Sequence, residues 1–131
     1  MIKTNGNLID TNIVSKLMNG DITVIEIFDR LDNIHVSSIT AGELFYGAFK
    51  SKRKDENLKL FKGFLSEYPV LKIDFLTAEI YGDVKATLVQ KGINIPENDL
   101  WISAIAIQNQ LSLFTMDKHF KNIDGLSLVD F

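Results

Sequence analysis

Asp10, Glu43, Asp99 and Asp117 stand apart from the other acidic residues of this 131-residue chain by where they fall. Asp10 closes an apolar run, and Glu43 lies about one turn into a helical pattern. Asp99 opens an apolar helix, and Asp117 follows the run L-S-L-F-T by two residues. None occupies the middle of an exposed helix face, where a solubilising acid belongs. Asp10, Asp99 and Asp117 each have a bland reading as the cap of a helix that follows. Glu43 resists that reading because it borders the apolar stripe Ala41, Leu44, Phe45 and Ala48. Asp99 has no Lys or Arg one helical turn away to neutralise it, and a buried acid needs a partner. If the acids converge, two like charges about 4 Å apart repel by roughly 4 kcal/mol at an effective dielectric near 20. Either some carboxyls then keep a proton or a divalent cation joins them. The chain has no cysteine, so an oxygen-only set favours a hard ion, Mg²⁺ or Mn²⁺. His35 falls in an expected strand and His119 in an expected short helix, neither with zinc-ligand spacing. Both read as structural or surface residues.

The elements that must position these acids alternate between short β-like runs and helical ones. Strands are expected at Asn7–Asp10, Ile34–Ser37, Val70–Ile73, Leu111–Thr115 and Leu126–Val129. Helices are expected near Asn12–Asn19, Ile22–Leu31, the stripe from Ala41 to Ala48, Lys54–Glu67, Thr77–Lys91 and a short Lys118–Asn122. Gly92 is a good residue to end the fifth of these. A further helix starts at Asn98 or Asp99, Pro96 barring an earlier start, and runs to about Asn109. Trp101, Ile102, Ala104, Ile105, Ala106 and Ile107 make it apolar nearly all round, hence central. The alternation implies right-handed crossovers and an α/β fold of three layers, α/β/α, with a central, mainly parallel sheet of four to five strands in a single domain over residues 1–131. Functional groups in such sheets collect beyond the carboxyl ends of the strands, where all these acids are expected.

Composition sets outer bounds. At 46% hydrophobic residues the chain can bury a core of this kind. The net charge of −3 argues at first against a polyanionic partner. Setting the four acids aside leaves 14 basic against 13 acidic residues, a balance of +1, so net charge decides nothing. The N-terminal stretch lacks the charged and apolar segments of a leader, and no run approaches the roughly 20 apolar residues of a membrane span. A soluble, cytoplasmic protein is expected.

Four segments carry a resemblance: L-I-D-T-N-I (Leu8–Ile13), S-S-I-T-A-G-E-L-F-Y-G (Ser37–Gly47), I-P-E-N-D-L-W-I-S-A-I-A (Ile95–Ala106) and L-F-T-M-D-K-H-F (Leu113–Phe120). In order and acid content they resemble the signature segments of PIN domains, most of all the VapC-like toxins of type II toxin–antitoxin systems. The resemblance implies a magnesium- or manganese-dependent endoribonuclease, leaving a 5′-phosphate and a 3′-hydroxyl. It implies Asp10 and Asp99 as direct metal ligands. Glu43 and Asp117 would serve a second metal, a water-mediated contact or a general base. Asn12 and Thr115 match polar positions that orient the carboxylates. It also implies a homodimer held inactive by a VapB-like antitoxin on the N-terminal helices, with Tyr46 and Phe49 as candidate contacts, and RNA, by analogy transfer RNA, as substrate. The basic run Lys50, Lys52, Arg53, Lys54 and the pair Lys118 and Lys121 read either as solvated surface or as a phosphate-contacting rim. Two rivals remain: a non-catalytic domain keeping the PIN fold, and a Mg²⁺-dependent phosphatase of the haloacid-dehalogenase type. The latter needs D-x-D, where this chain has Asn12 in the third position.

Overall fold

A computed structural model of the chain describes residues 4–131; Met1–Lys3, the head of the stretch expected to carry no leader, lie outside the described residues. The chain runs β1 (Asn7–Ile9), α1 (Thr11–Met18), α2 (Ile22–Asp29), β2 (Ile34–Ser37), α3 (Ser38–Phe49), α4 (Lys54–Leu65), β3 (Val70–Leu71), α5 (Phe75–Gln90), α6 (Glu97–Gln108), β4 (Ser112–Phe114), a 3₁₀ turn (Lys118–Asn122) and β5 (Ser127–Leu128). The strands form one sheet in the order β3-β2-β1-β4-β5, every pairing parallel. The α/β expectation and the five strands therefore hold.

Alternation along each strand divides the core into two layers. Leu8 and Leu113 face a cluster with Val84 and Leu88 of α5 and Leu100, Ile102 and Ile105 of α6. Ile9, Val36 and Phe114 point the other way, into Ile13, Val14, Val24, Ile27, Leu44 and Leu65 from α1 to α4. Strands covered on both faces must be apolar on both, as N-L-I and S-L-F largely are. Leu100 and the run Ile102–Ala106 of α6 are all buried, as its all-round apolar sequence requires. Among the described residues no helix is long and apolar enough to cross a membrane.

Several boundaries differ from expectation for identifiable reasons. β3 spans two residues because Lys72 and Ile73 are exposed beyond its pairing with Val36 and Ser37. α5 begins at Phe75: Asp74 caps it, accepting from Thr77 N at 3.1 Å, while Thr77 Oγ1 accepts from Asp74 N at 3.0 Å. Thr77 is thus the third helical residue of a reciprocal cap. The helix closes through Gly92 at φ +72, with Ile93 N donating to Leu88 O at 2.9 Å. α6 begins at Glu97, ahead of either expected start, with Pro96 as its cap residue. A cap residue's own N–H is not needed by the helix, so proline is tolerated there.

The strand order fixes where a site can form. From β1 the chain winds outward through β2 to β3, then crosses back to β4 and β5 on the other side. The connections diverge past the carboxyl ends of β1 and β4, which opens a crevice at that point. Ile9 pairs with Phe114, and Asp10 N continues the ladder to Phe114 O at 2.9 Å. Asp10 and Thr115 therefore stand side by side at the crevice.

Candidate active site

Asp10 is 3% exposed and caps α1, its carboxylate accepting from Thr11 N at 2.8 Å. The cap reading is thus true of Asp10 but incomplete, since the other oxygen faces the crevice. Oδ2 accepts from Thr115 Oγ1 at 2.7 Å and from Asn12 Nδ2 at 3.3 Å. Asn12 Oδ1 in turn accepts from Met116 N at 3.3 Å, and Thr115 Oγ1 from Asp117 N at 3.1 Å. Asn12 and Thr115 so tie the ends of β1 and β4 together and hold Asp10 between them. No ion pair among the described residues reaches Asp10. Burial pushes its pKa up to about 6 from 3.8, against the pull of the Thr115 and Thr11 bonds, with the charges of Asp99 and Glu43 adding to the rise.

Glu43 reaches the crevice from the second turn of α3. Ser37 Oγ accepts from Thr40 N at 3.0 Å, starting α3 directly at the end of β2. Glu43 Oε1 accepts from Thr11 Oγ1 at 2.7 Å, and that hydroxyl also lies 3.1 Å from Thr40 Oγ1.

Asp99 is in the first turn of α6 but does not cap it, contrary to its bland reading. Pro96 holds the cap position, and its carbonyl accepts from Asp99 N at 3.1 Å and Leu100 N at 3.2 Å. The carboxylate, 16% exposed, is free to meet His119, whose Nε2 lies 2.7 Å from Asp99 Oδ2. Burial raises the pKa of Asp99, the His119 contact opposes the rise, and the charges of Asp117 and Glu43 reinforce it. Asp117, 50% exposed, precedes the 3₁₀ turn without a side-chain capping bond, and its Oδ2 lies 4.0 Å from His119 Nε2.

One ligand atom each from Asp99, Asp117 and His119 falls within a span of 4.8 Å. Asp10 and Glu43 couple to this group through charge, Asp10 with Asp99 and both with the α6 side of the crevice. The reading of His119 as a structural or surface residue without ligand spacing is therefore corrected. It stands 20 residues from Asp99 in the chain, so no helical spacing links those two, although its place two residues after Asp117 was a local signal. Thr11, the middle residue of D-T-N, was also passed over, although its place beside Asp10 was a usable signal. His35 conforms to its bland reading, with Nδ1 2.9 Å from Asn33 O.

The basic residues separate. Lys118 and Lys121 line a groove of about 630 Å³ with Thr115, Asp117, Leu128 and Phe131, continuous with the acidic crevice. Lys52 and Arg53 occupy the turn after α3 and Lys54 opens α4, all exposed. At 1.5 Å per residue that turn is about 10 Å or more along the axis from Glu43, so the run is not immediately beside the acids.

Fold and crevice together define an α/β protein with an acidic site at the switch point of a parallel sheet. The PIN domain family profile matches residues 8–126. The chain is 34% identical over 126 residues to Ribonuclease VapC2 of Rickettsia felis, covering 92% of this chain and 94% of that one. It is 32% identical to the tRNA(fMet)-specific endonuclease VapC of Shigella flexneri, covering 94% and 96%. The crystal structure of Rickettsia felis VapBC2 bound to a promoter DNA fragment superposes with a TM-score of 0.86 at 32% identity, covering 95% of this chain and 98% of that one. The chain belongs to the PIN domain family, among its VapC ribonucleases.

Proposed function

We propose that the chain is a Mg²⁺- or Mn²⁺-dependent endoribonuclease, the toxin of a cytoplasmic toxin–antitoxin pair, which stops translation by hydrolysing RNA. The observation that carries this reading is the buried Asp10 carboxylate, without a basic partner among the described residues, in a crevice it shares with further carboxylates. A hard cation relieves that repulsion, and the oxygen-rich donor set fits one. Family membership sets the phosphatase alternative aside. The relative from Shigella flexneri is named for an initiator transfer RNA, which makes transfer RNA the substrate class proposed for this chain.

In this reading Asp10 and Asp99 hold the cation, while Asp117 and Glu43 serve a second cation or the attacking water. When bound, the ion polarises the phosphodiester and lowers the pKa of a neighbouring water. Thr115 and Asn12 fix Asp10 Oδ2 so that it cannot rotate away from the crevice. Thr11 occupies Oε1 of Glu43, leaving Oε2 to take a proton from the nucleophile. Lys118, exposed on the rim, meets a phosphate next to the scissile one, and the run Lys52–Lys54 meets a more distant part of the RNA. Tyr46 and Phe49 on α3, 66% and 60% exposed, form the surface on which the antitoxin docks, the active species being a homodimer.

Purified protein incubated with total transfer RNA should cleave it with Mg²⁺ or Mn²⁺ and not in a chelator, and Asp10→Asn should abolish cleavage. Cutting that persists in chelator would refute metal dependence. Binding without cutting under every condition would favour a non-catalytic PIN-fold domain.

A further inference from the structure

We propose that His119 is itself a ligand of the cation, which makes the centre a mixed nitrogen–oxygen site that prefers Mn²⁺ to Mg²⁺. This rests on the metal-dependent reading above and adds to it a nitrogen ligand and the ion that ligand selects.

The geometry of the imidazole carries the argument. Its Nε2 lies 2.7 Å from Asp99 Oδ2 and 4.0 Å from Asp117 Oδ2, with one ligand atom of each residue inside a 4.8 Å span. A small divalent ion with bonds of about 2.1 Å keeps its ligands about 3 Å apart at right angles and about 4.2 Å apart across it. The observed separations lie within a few tenths of an ångström of those two values. The ring is also well held. It packs against the fully buried Phe120, ring centroids 4.9 Å apart, and its backbone carbonyl accepts from Asn122 Nδ2 at 3.1 Å.

Ligation changes one hydrogen bond. Without an ion, Nε2 and Asp99 Oδ2 share a proton contact. With one, the neutral ring carries its single proton on Nδ1, and the Nε2 lone pair and Oδ2 both turn to the cation. Mg²⁺ is hard and holds to oxygen, so an obligatory nitrogen ligand disfavours it relative to a first-row transition ion. The surrounding carboxylates still suit Mn²⁺. A residue that merely propped Asp99 through a hydrogen bond would leave the first coordination sphere all oxygen and the ion preference unchanged.

Pulsed electron paramagnetic resonance on the full chain loaded with Mn²⁺ distinguishes these directly. The expected result is modulation from a directly bonded ¹⁴N, lost in His119→Gln and retained in His35→Gln. Titration calorimetry should show His119→Gln lowering Mn²⁺ affinity by roughly tenfold or more while Mg²⁺ affinity changes little. Mn²⁺ bound without nitrogen coupling in the unmodified protein would overturn the inference and leave the nuclease reading intact. Failure of both ions to bind would overturn the metal-dependent reading, and this inference with it. The decisive spectrum is that of the unmodified protein, so it does not depend on a variant folding.

Discussion

Replacing Asp10 by asparagine should stabilise the metal-free protein at neutral pH while destroying its activity. Burial pushes the pKa of Asp10 up to about 6 in the folded chain, against 3.8 for an unperturbed aspartate. Because the folded value is the higher, the group contributes stability that is complete below 3.8 and lost as pH rises through about 6. Each unit is worth about 1.4 kcal/mol, so holding the ionised carboxylate costs roughly 3 kcal/mol above pH 7. Asparagine removes that cost but disturbs the contacts on Oδ2. With its oxygen kept on Thr11 N, its NH2 takes the place of Oδ2, where it can donate to Thr115 Oγ1 but cannot accept from that hydroxyl or from Asn12 Nδ2, a loss of up to about 1 kcal/mol. The net expectation is a gain of about 2 kcal/mol at pH 7.5, or several degrees in Tm for a chain of this size. At pH 4.5 the native carboxyl is largely protonated and can donate to Thr115, so the substitution becomes neutral or costs about 1 kcal/mol. Urea unfolding in chelator at the two pH values measures both numbers. A variant less stable than the parent at pH 7.5, or a difference that does not change with pH, would refute the claim that Asp10 is an uncompensated buried charge.

Three other outcomes follow from the same contacts. Thr115→Val removes the donor to Asp10 Oδ2 and the acceptor of Asp117 N. It should weaken Mn²⁺ binding about tenfold in calorimetric titration with the circular dichroism spectrum retained. Ser37→Ala deletes a fully buried cap at the start of α3 and should cost about 1–2 kcal/mol in denaturant unfolding. Converting Lys52, Arg53 and Lys54 together to Gln, in the Asp10→Asn background, should weaken RNA binding and lower the slope of log K against log salt by up to about 2. An unchanged slope would return that run to ordinary solvated surface.

The fold was legible because its strands are short apolar runs separated by periodic helices, and because a sheet buried on both faces leaves little freedom in that pattern. The acids could be picked out because parallel topology sends every strand end to one edge. Helix starts were read less well. Thr77 looks like a first helical residue until Asp74 is recognised as its reciprocal cap, and Pro96 looks like a barrier although it sits where a missing N–H costs nothing. His119 was misjudged for a different reason. Its relation to Asp99 is tertiary, made across 20 residues of chain, and only its place two residues after Asp117 hinted at it.

The adjacency of Asp10 and Thr115, joined at 2.7 Å across 105 positions of chain, bears on when the protein becomes dangerous. The oxygen that fixes Asp10 stands at the end of β4, which follows all six α-helices in the chain. A growing polypeptide that has emerged only as far as α6 possesses Asp10, Glu43 and Asp99 yet lacks the clamp, Asp117 and His119. An RNA-cutting enzyme assembled in this order cannot complete its acidic centre until β4 and the turn after it have joined the fold.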